Sequence, residues 1–173
     1  MRDRDALDNN PHISRSALEA MHSQLFGWAL SRCGMQRTAA EDLVQQAYVE
    51  LLSGNARFDN KSSLKTFVFA VVQNLAKSRF RRLATRMRLV QQYQVADDVV
   101  DPTEPSAQNN IWIAVRELPT RQRDIVELVF CRDLTIEEAA AVMRVSVGTG
   151  RAHYDRAKKA LREKLKEWSE TDR

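Results

Sequence analysis

The chain has 173 residues, 43% of them hydrophobic and 29% charged, with a formal net charge of +4. That length suits one medium domain or two small helical ones, and the balance is ordinary for a globular protein. Five glycines are too few for an all-β or glycine-loop-rich fold, and Cys33 and Cys131 stand far apart without C-x-x-C spacing, which argues against a disulfide framework and for a reducing cytoplasm.

Residues 1–13 read as a disordered tail, too polar for the apolar core of a signal peptide. A first helix is expected from Ser16, with Glu19 completing a capping box and Leu18, Met21, Leu25, Trp28 and Ala29 at helical spacing. Gly34 ends it. Thr38 and Glu41 suggest a second capping box, for a helix through Leu52. Its apolar stripe is Leu43, Val44, Ala47, Tyr48 and Leu51, which leaves Asp42, Gln45, Gln46 and Val49 facing elsewhere. Ser62 or Ser63 caps a third helix that carries Leu64, Phe67, Val68, Val71, Val72 and Leu75 and runs toward Gln92.

Composition then changes. Residues 93–109 hold Asp97, Asp98, Asp101 and Glu104 with Pro102 and Pro105 and no base, the mark of a flexible acidic linker. A second helical block occupies 110–173, opening with a helix over 111–117 and another over 120–130. Thr135 with Glu138 is a further capping box, for a short helix ending at Met143. A turn at 144–147 leads into a long basic helix over 148–168, and together these form the outline of a helix-turn-helix. The fold class is therefore all-α: two small helical domains, 14–92 and 110–173, joined by the linker. No apolar run reaches membrane-spanning length, so a cytoplasmic protein without membrane insertion is expected.

Charge is concentrated where the helices would meet a ligand. Lys61, Lys65, Lys77, Arg79, Arg81, Arg82, Arg86 and Arg88 lie in a stretch, 60–92, that has no Asp or Glu. Such cations repel one another on a bare helix, and a polyanion neutralises them. Arg151, Arg156, Lys158, Lys159, Arg162, Lys164 and Lys166 on the last helix face only Asp155, Glu163 and Glu167.

The residues also resemble a known family. Ala40-Glu41-Asp42-Leu43-Val44-Gln45-Gln46-Ala47-Tyr48 is similar to the second conserved region of bacterial sigma factors. Phe58, Ser63-Leu64-Lys65-Thr66-Phe67, Asn74-Leu75-Ala76 and Arg79-Phe80-Arg81-Arg82 look like the segment that melts the −10 promoter element. Leu118-Pro119-x-Arg121-Gln122-Arg123, Leu134-Thr135-Ile136-Glu137-Glu138-Ala139-Ala140, Val147-Gly148-Thr149 and Arg156-Ala157-Lys158-Lys159-Ala160-Leu161-Arg162 resemble the fourth region. The likeness runs over about residues 14–166, in the family's order, and the short length points to the extracytoplasmic-function (ECF) type.

The resemblance implies an alternative sigma factor that binds core RNA polymerase, selects promoters and opens the −10 element. It assigns Asp42, Gln45, Gln46 and Val49 to the polymerase clamp. It gives Asn60, Lys61, Ser62, Asn74, Lys77, Phe80, Arg81 and Arg82 to −10 DNA, the first three around the pocket for a flipped base. Arg144, Thr149, Arg151, Ala152, His153, Asp155 and Arg156 fall to the −35 duplex, Arg151 and Arg156 as readers of guanine edges or phosphates. It also implies an anti-sigma factor as partner, for which Val99 and Val100 are candidate contacts. Four positions depart from the family pattern: Gln46 for a common Glu, Phe67 for a frequent Trp, Arg144 for a frequent Gly, and Gly150 for an apolar β-branched residue.

No active site is expected. Ser62-x-x-Lys65 has the spacing of some acyl-enzymes but no companion motif, and a helix cap explains the serine. His12, His22 and His153 are scattered, so no metal constellation and no cofactor is implied. The competing reading is a two-domain helix-turn-helix regulator acting on duplex DNA without polymerase. It leaves the basic third helix and the Asp42–Gln46 segment unexplained, and a helical adaptor leaves both basic surfaces unexplained.

Overall fold

The computed structural model describes residues 13–90 and 107–171, excluding the side chains of 86–90, 107–110 and 168–171. The described residues are helical and contain no strand. They fall into two compact units, Met1–Gln91 and Gln92–Arg173. The expected tail up to residue 12, the linker over 93–106 with Val99 and Val100, and the side chains of Arg86 and Arg88 lie outside the described residues.

The first unit is a three-helix assembly of α1 (Arg15–Arg32), α2 (Arg37–Leu52) and α3 (Leu64–Val90), each packed on the other two. The cap of helix α1 lies two residues before the expected one. Ser14, not Ser16, accepts the Ala17 N–H at 3.1 Å, and Glu19 pairs with Arg15 at 2.8 Å instead of closing a capping box. Ile13, assigned by sequence to the tail, is buried. Helix α2 likewise starts early. Its N-cap is Gln36, with no side-chain bond, and Glu41 pairs with Arg37 at 3.0 Å in place of the Thr38 capping box. In both helices the carboxylate pairs with an arginine one turn earlier, an exposed contact of about 0.3–0.5 kcal/mol that takes the place of the capping box.

Ser63 is the residue that caps α3, accepting the Thr66 N–H at 3.1 Å; the Ser62 hydroxyl donates to the Ser63 carbonyl oxygen. Burial along α3 is wider than a single stripe. Thr66, Val68, Phe69, Val71, Val72 and Gln73 are all inside, because this helix meets both α1 and α2. Phe69 is fully buried and lies beside Trp28, with ring centroids 6.4 Å apart. Phe67 is half-buried and packs against Phe58 at 5.2 Å.

The second unit comprises α4 (Ala107–Glu117), α5 (Thr120–Val126), a π-helical turn (Glu127–Cys131), α6 (Ile136–Met143) and α7 (Val147–Thr171). Helix α4 begins inside the segment expected to be linker. The helix expected over 120–130 is α-helical only to Val126, after which the wider turn inserts an extra residue and turns Phe130 outward. Beneath that turn Glu127 accepts from Arg132 at 2.9 Å, with both side chains largely buried. The Thr135–Glu138 capping box is present in full. At the other end of α6, Arg144 adopts a left-handed φ of 57° and Arg121 donates to the Met143 carbonyl at 3.4 Å, satisfying a carbonyl at the negative end of the helix. Lys164 of α7 pairs with Glu117 of α4.

Both cysteines are free and part-buried. Burial pushes each thiol above its ordinary pKa of 9.0; Arg79 and Arg32 oppose this at Cys33, while Glu127 adds to it at Cys131. A raised pKa means less thiolate at neutral pH, and the thiolate is the reactive form. Alkylation of either residue at neutral pH is therefore expected to be slower than that of a free cysteine derivative, and to climb only above the ordinary thiol pKa. Mass spectrometry after timed exposure to iodoacetamide measures this, and equal rates at neutral pH would contradict the burial account.

Candidate functional site

Three surfaces gather the residues singled out from the sequence. The first is the outer face of α2. Leu43, Val44, Ala47 and Leu51 point into the core, and this fixes Asp42, Gln45, Gln46 and Val49 outward, all exposed. Asp42, Gln46 and Val49 follow one another at helical spacing, with Gln45 beside them. An acid and two amides so placed can accept and donate hydrogen bonds to a basic partner helix, and Val49, 61% exposed, gives that face an apolar contact. Gln45 also borders a groove between α1 and α2 of about 410 Å³, where His22 Nδ1 and the Tyr48 hydroxyl lie 2.8 Å apart.

The second surface runs from the loop before α3 along that helix. Asn60 has a left-handed φ of 58°, which turns the chain sharply ahead of Lys61 and Ser62, all three exposed. Lys61 is not an uncompensated cation: its ammonium pairs with Asp59 at 2.6 Å, and that bond holds the Asp59 carboxyl below its ordinary pKa. Arg79 also has a structural task, donating to the Ala39 carbonyl at the start of α2. Asn74 and Lys77 are half-buried, while Arg81 and Arg82 are exposed. Phe80 does not pack beneath the basic face. It is 74% exposed, with Leu83 one turn away at 50%. A bare aromatic ring among guanidinium groups is suited to stacking on an unpaired base.

The third surface is the helix-turn-helix, α6 and α7. Ser146 caps α7, accepting the Thr149 N–H at 3.1 Å, and its hydroxyl lies 2.8 Å from that of Thr149. Arg144, Thr149, Arg151, Asp155 and Arg156 are exposed; Ala152 and His153 are half-buried. Gly150 has a physical reason the sequence does not disclose. A Cβ there would lie 2.9 Å from Ala140 Cβ, so the two helices cross in contact at this point. Alanine normally gains about 1 kcal/mol over glycine inside a helix. Gly150→Ala is nevertheless expected to lower stability, and Gly150→Val to cost about 1–3 kcal/mol by overpacking; chemical denaturation measures both.

Two features of this unit were not anticipated from sequence. Arg151 donates to Glu137 of α6 at 2.7 Å, an ion pair between residues fourteen apart. Phe130 stacks on Tyr154 at 5.9 Å, with the Lys158 ammonium over the tyrosine ring. Among the described residues no group of His, Cys, Asp and Glu could hold a metal ion, and no helix is long and apolar enough to cross a membrane.

Comparison with known proteins matches both units. The family model of Sigma-70 region 2 covers residues 17–86, and that of Sigma-70, region 4 covers residues 108–161. The ECF RNA polymerase sigma factor SigX of Bacillus subtilis is 27% identical over 139 residues, 75% of this chain and 72% of that protein. SigF of Caulobacter vibrioides, another ECF sigma factor, is 26% identical over 160 residues, 92% of this chain and 89% of its own. In fold, the chain resembles the sigma factor RpoE solved with the anti-sigma factor NepR from Bartonella quintana. That likeness has a TM-score of 0.71 at 23% identity, over 88% of this chain and 96% of that one. CnrH, solved with the cytosolic domain of CnrY, gives 0.61 at 24% identity, covering 95% and 97%. Two family models in succession, one on each of the two helical units, together with ECF sigma factors as relatives over most of the chain, place it in the sigma-70 family, as a sigma factor of the ECF type.

Proposed function

We propose that this chain is an alternative sigma factor that binds core RNA polymerase, directs it to a specific set of promoters and opens their −10 element. The observation that carries the reading is the succession of region 2 over 17–86 and region 4 over 108–161 in one short chain. A duplex-binding regulator accounts for the second unit and leaves the first without a task.

The residues divide the work. Asp42, Gln45, Gln46 and Val49 dock on the polymerase clamp. Asn60, Lys61 and Ser62 border the pocket for a flipped base, and Asn74, Lys77, Arg81 and Arg82 follow the non-template backbone. Phe80 stacks on an unpaired base; opening a step costs a few kcal/mol, and base–aromatic stacking returns about 1–3 kcal/mol per base. Arg144, Thr149, Arg151, Ala152, His153, Asp155 and Arg156 meet the −35 duplex, where a bidentate contact from Arg151 or Arg156 to a guanine edge is worth about 1–3 kcal/mol. The bond chemistry of transcription belongs to the polymerase, and no residue here is assigned a catalytic role. An anti-sigma factor holds the chain inactive in the cytoplasm until a signal arrives, a reading supported by the RpoE structure, which was solved with the anti-sigma factor NepR.

Run-off transcription from fragmented genomic DNA, with core polymerase and with or without the chain, tests the reading. Discrete new start sites that disappear in the Asp42→Ala/Gln45→Ala variant are expected. Tight duplex binding by the chain alone, with no core-dependent transcripts, would instead establish the regulator.

A further inference from the structure

The two adjacent acids at the start of α6 do different things. Glu138 closes the capping box: its carboxylate accepts the Thr135 N–H at 2.9 Å. Glu137 takes no part in that capping box. It reaches across to α7 and accepts from Nη2 of Arg151 at 2.7 Å, and both side chains remain more than half exposed. The Arg151 bond holds the Glu137 carboxyl below its ordinary pKa, so the pair is charged at neutral pH.

The crossing of the helices creates this contact. Gly150 lets α7 approach α6 until its own backbone lies against Ala140. Glu137 is three residues before Ala140 and Arg151 is one residue after Gly150, so close approach there brings the two charged groups together. An exposed pair of this kind contributes little to stability. Its effect is on direction. A free arginine side chain samples many rotamers and settles readily on phosphate, whereas one held at Nη2 keeps its remaining N–H groups in a fixed plane.

We propose that Glu137 is a specificity-determining residue of the −35 interface, positioning Arg151 for a base edge. The carboxylate fixes one side of the guanidinium and leaves the rest of its fork to meet a guanine O6/N7 edge. Its negative charge repels phosphate oxygens, so Arg151 gains little from a duplex that lacks the right base. The inference rests on the placing of Arg151 at the −35 element made above.

The test uses holoenzyme, core polymerase with the full chain, and a panel of duplex promoters substituted singly at each −35 position. Wild type, Arg151→Ala, Glu137→Ala and Glu137→Gln are compared, with circular dichroism confirming that each is folded. Arg151→Ala is expected to lose discrimination at one position by roughly tenfold or more. Glu137→Ala is expected to lose it at that same position and to bind promoter-free duplex several-fold tighter. The double variant Glu137→Ala/Arg151→Ala should be no worse in discrimination than Arg151→Ala. Glu137→Gln, whose amide oxygen still accepts from Nη2 but carries no charge, should keep most of the discrimination while sharing the tighter nonspecific binding. Glu137→Ala behaving as wild type on every duplex overturns the inference. So does a loss confined to a different position, which would make Glu137 a base reader in its own right. If Arg151→Ala itself discriminates as wild type, the −35 assignment of Arg151 fails, and the positioning role falls with it.

Discussion

Trp28→Ala is expected to unfold the first unit, or to leave it folded only marginally at growth temperature. Trp28 is fully buried, lies beside Phe69, which is equally enclosed, and carries the Arg32 guanidinium 4.1 Å from its ring centroid. Truncating an aromatic residue in such a site costs about 3–5 kcal/mol, from lost transfer energy and the cavity left behind. Total stabilities of small domains are about 5–15 kcal/mol, so most of the margin goes. The indole Nε1 has no hydrogen-bond partner among the described residues, so the N–H adds nothing to what the ring supplies by packing and by its contact with Arg32. Trp28→Phe, which keeps a ring and drops that N–H, is therefore expected to cost much less than Trp28→Ala. Thermal unfolding followed by circular dichroism separates the cases. Equal Tm values for Trp28→Ala and wild type would refute the packing account. The functional consequence is direct: α1 and α3 meet through this pair of rings, and α3 bears the basic face.

How far the sequence discloses the molecule depends on the range of each interaction. The Thr135–Glu138 capping box is legible because both partners sit three residues apart and both reciprocal bonds form. The same pattern misleads at Ser16–Glu19 and Thr38–Glu41, where Arg15 and Arg37 claim the carboxylates. The outward face of α2 follows from a single apolar stripe, Leu43, Val44, Ala47 and Leu51. Phe69 does not follow, because burial on α3 takes in Val68, Phe69, Val71, Val72 and Gln73, wider than one 3.6-residue stripe. Gly150 looks like a defect in a helix until Ala140 is seen against it. Glu137 becomes a partner of Arg151 only once that crossing exists. The π-helical turn has no local sequence signature; the Glu127–Arg132 pair joins its first residue to its C-cap.

That pair supports the second large expectation. Arg132→Ala should cost the second unit at most about 3–5 kcal/mol, because it takes the guanidinium away from a largely buried carboxylate. The cost does not mean that the pair itself is worth so much. Two charges lose hydration on entering the interior, and their attraction returns roughly what was lost. Replacing both, as Glu127→Met/Arg132→Met, should therefore recover much of the stability lost by Arg132→Ala. What the double variant is not expected to recover is geometry. Leu134 N–H donates to the Leu128 carbonyl at 3.1 Å across the turn, and Thr135 follows at once as the cap of α6. The ion pair lies in the chain between α5 and the helix-turn-helix, and it is expected to set the angle at which α6 leaves. An apolar pair of similar volume fills the space without directing the chain. Denaturation should thus show near-recovery in the double variant while −35 discrimination by the holoenzyme stays impaired. If stability and discrimination return together, the pair is only filling, and the direction of α6 is held by the capping box and the Gly150–Ala140 crossing alone.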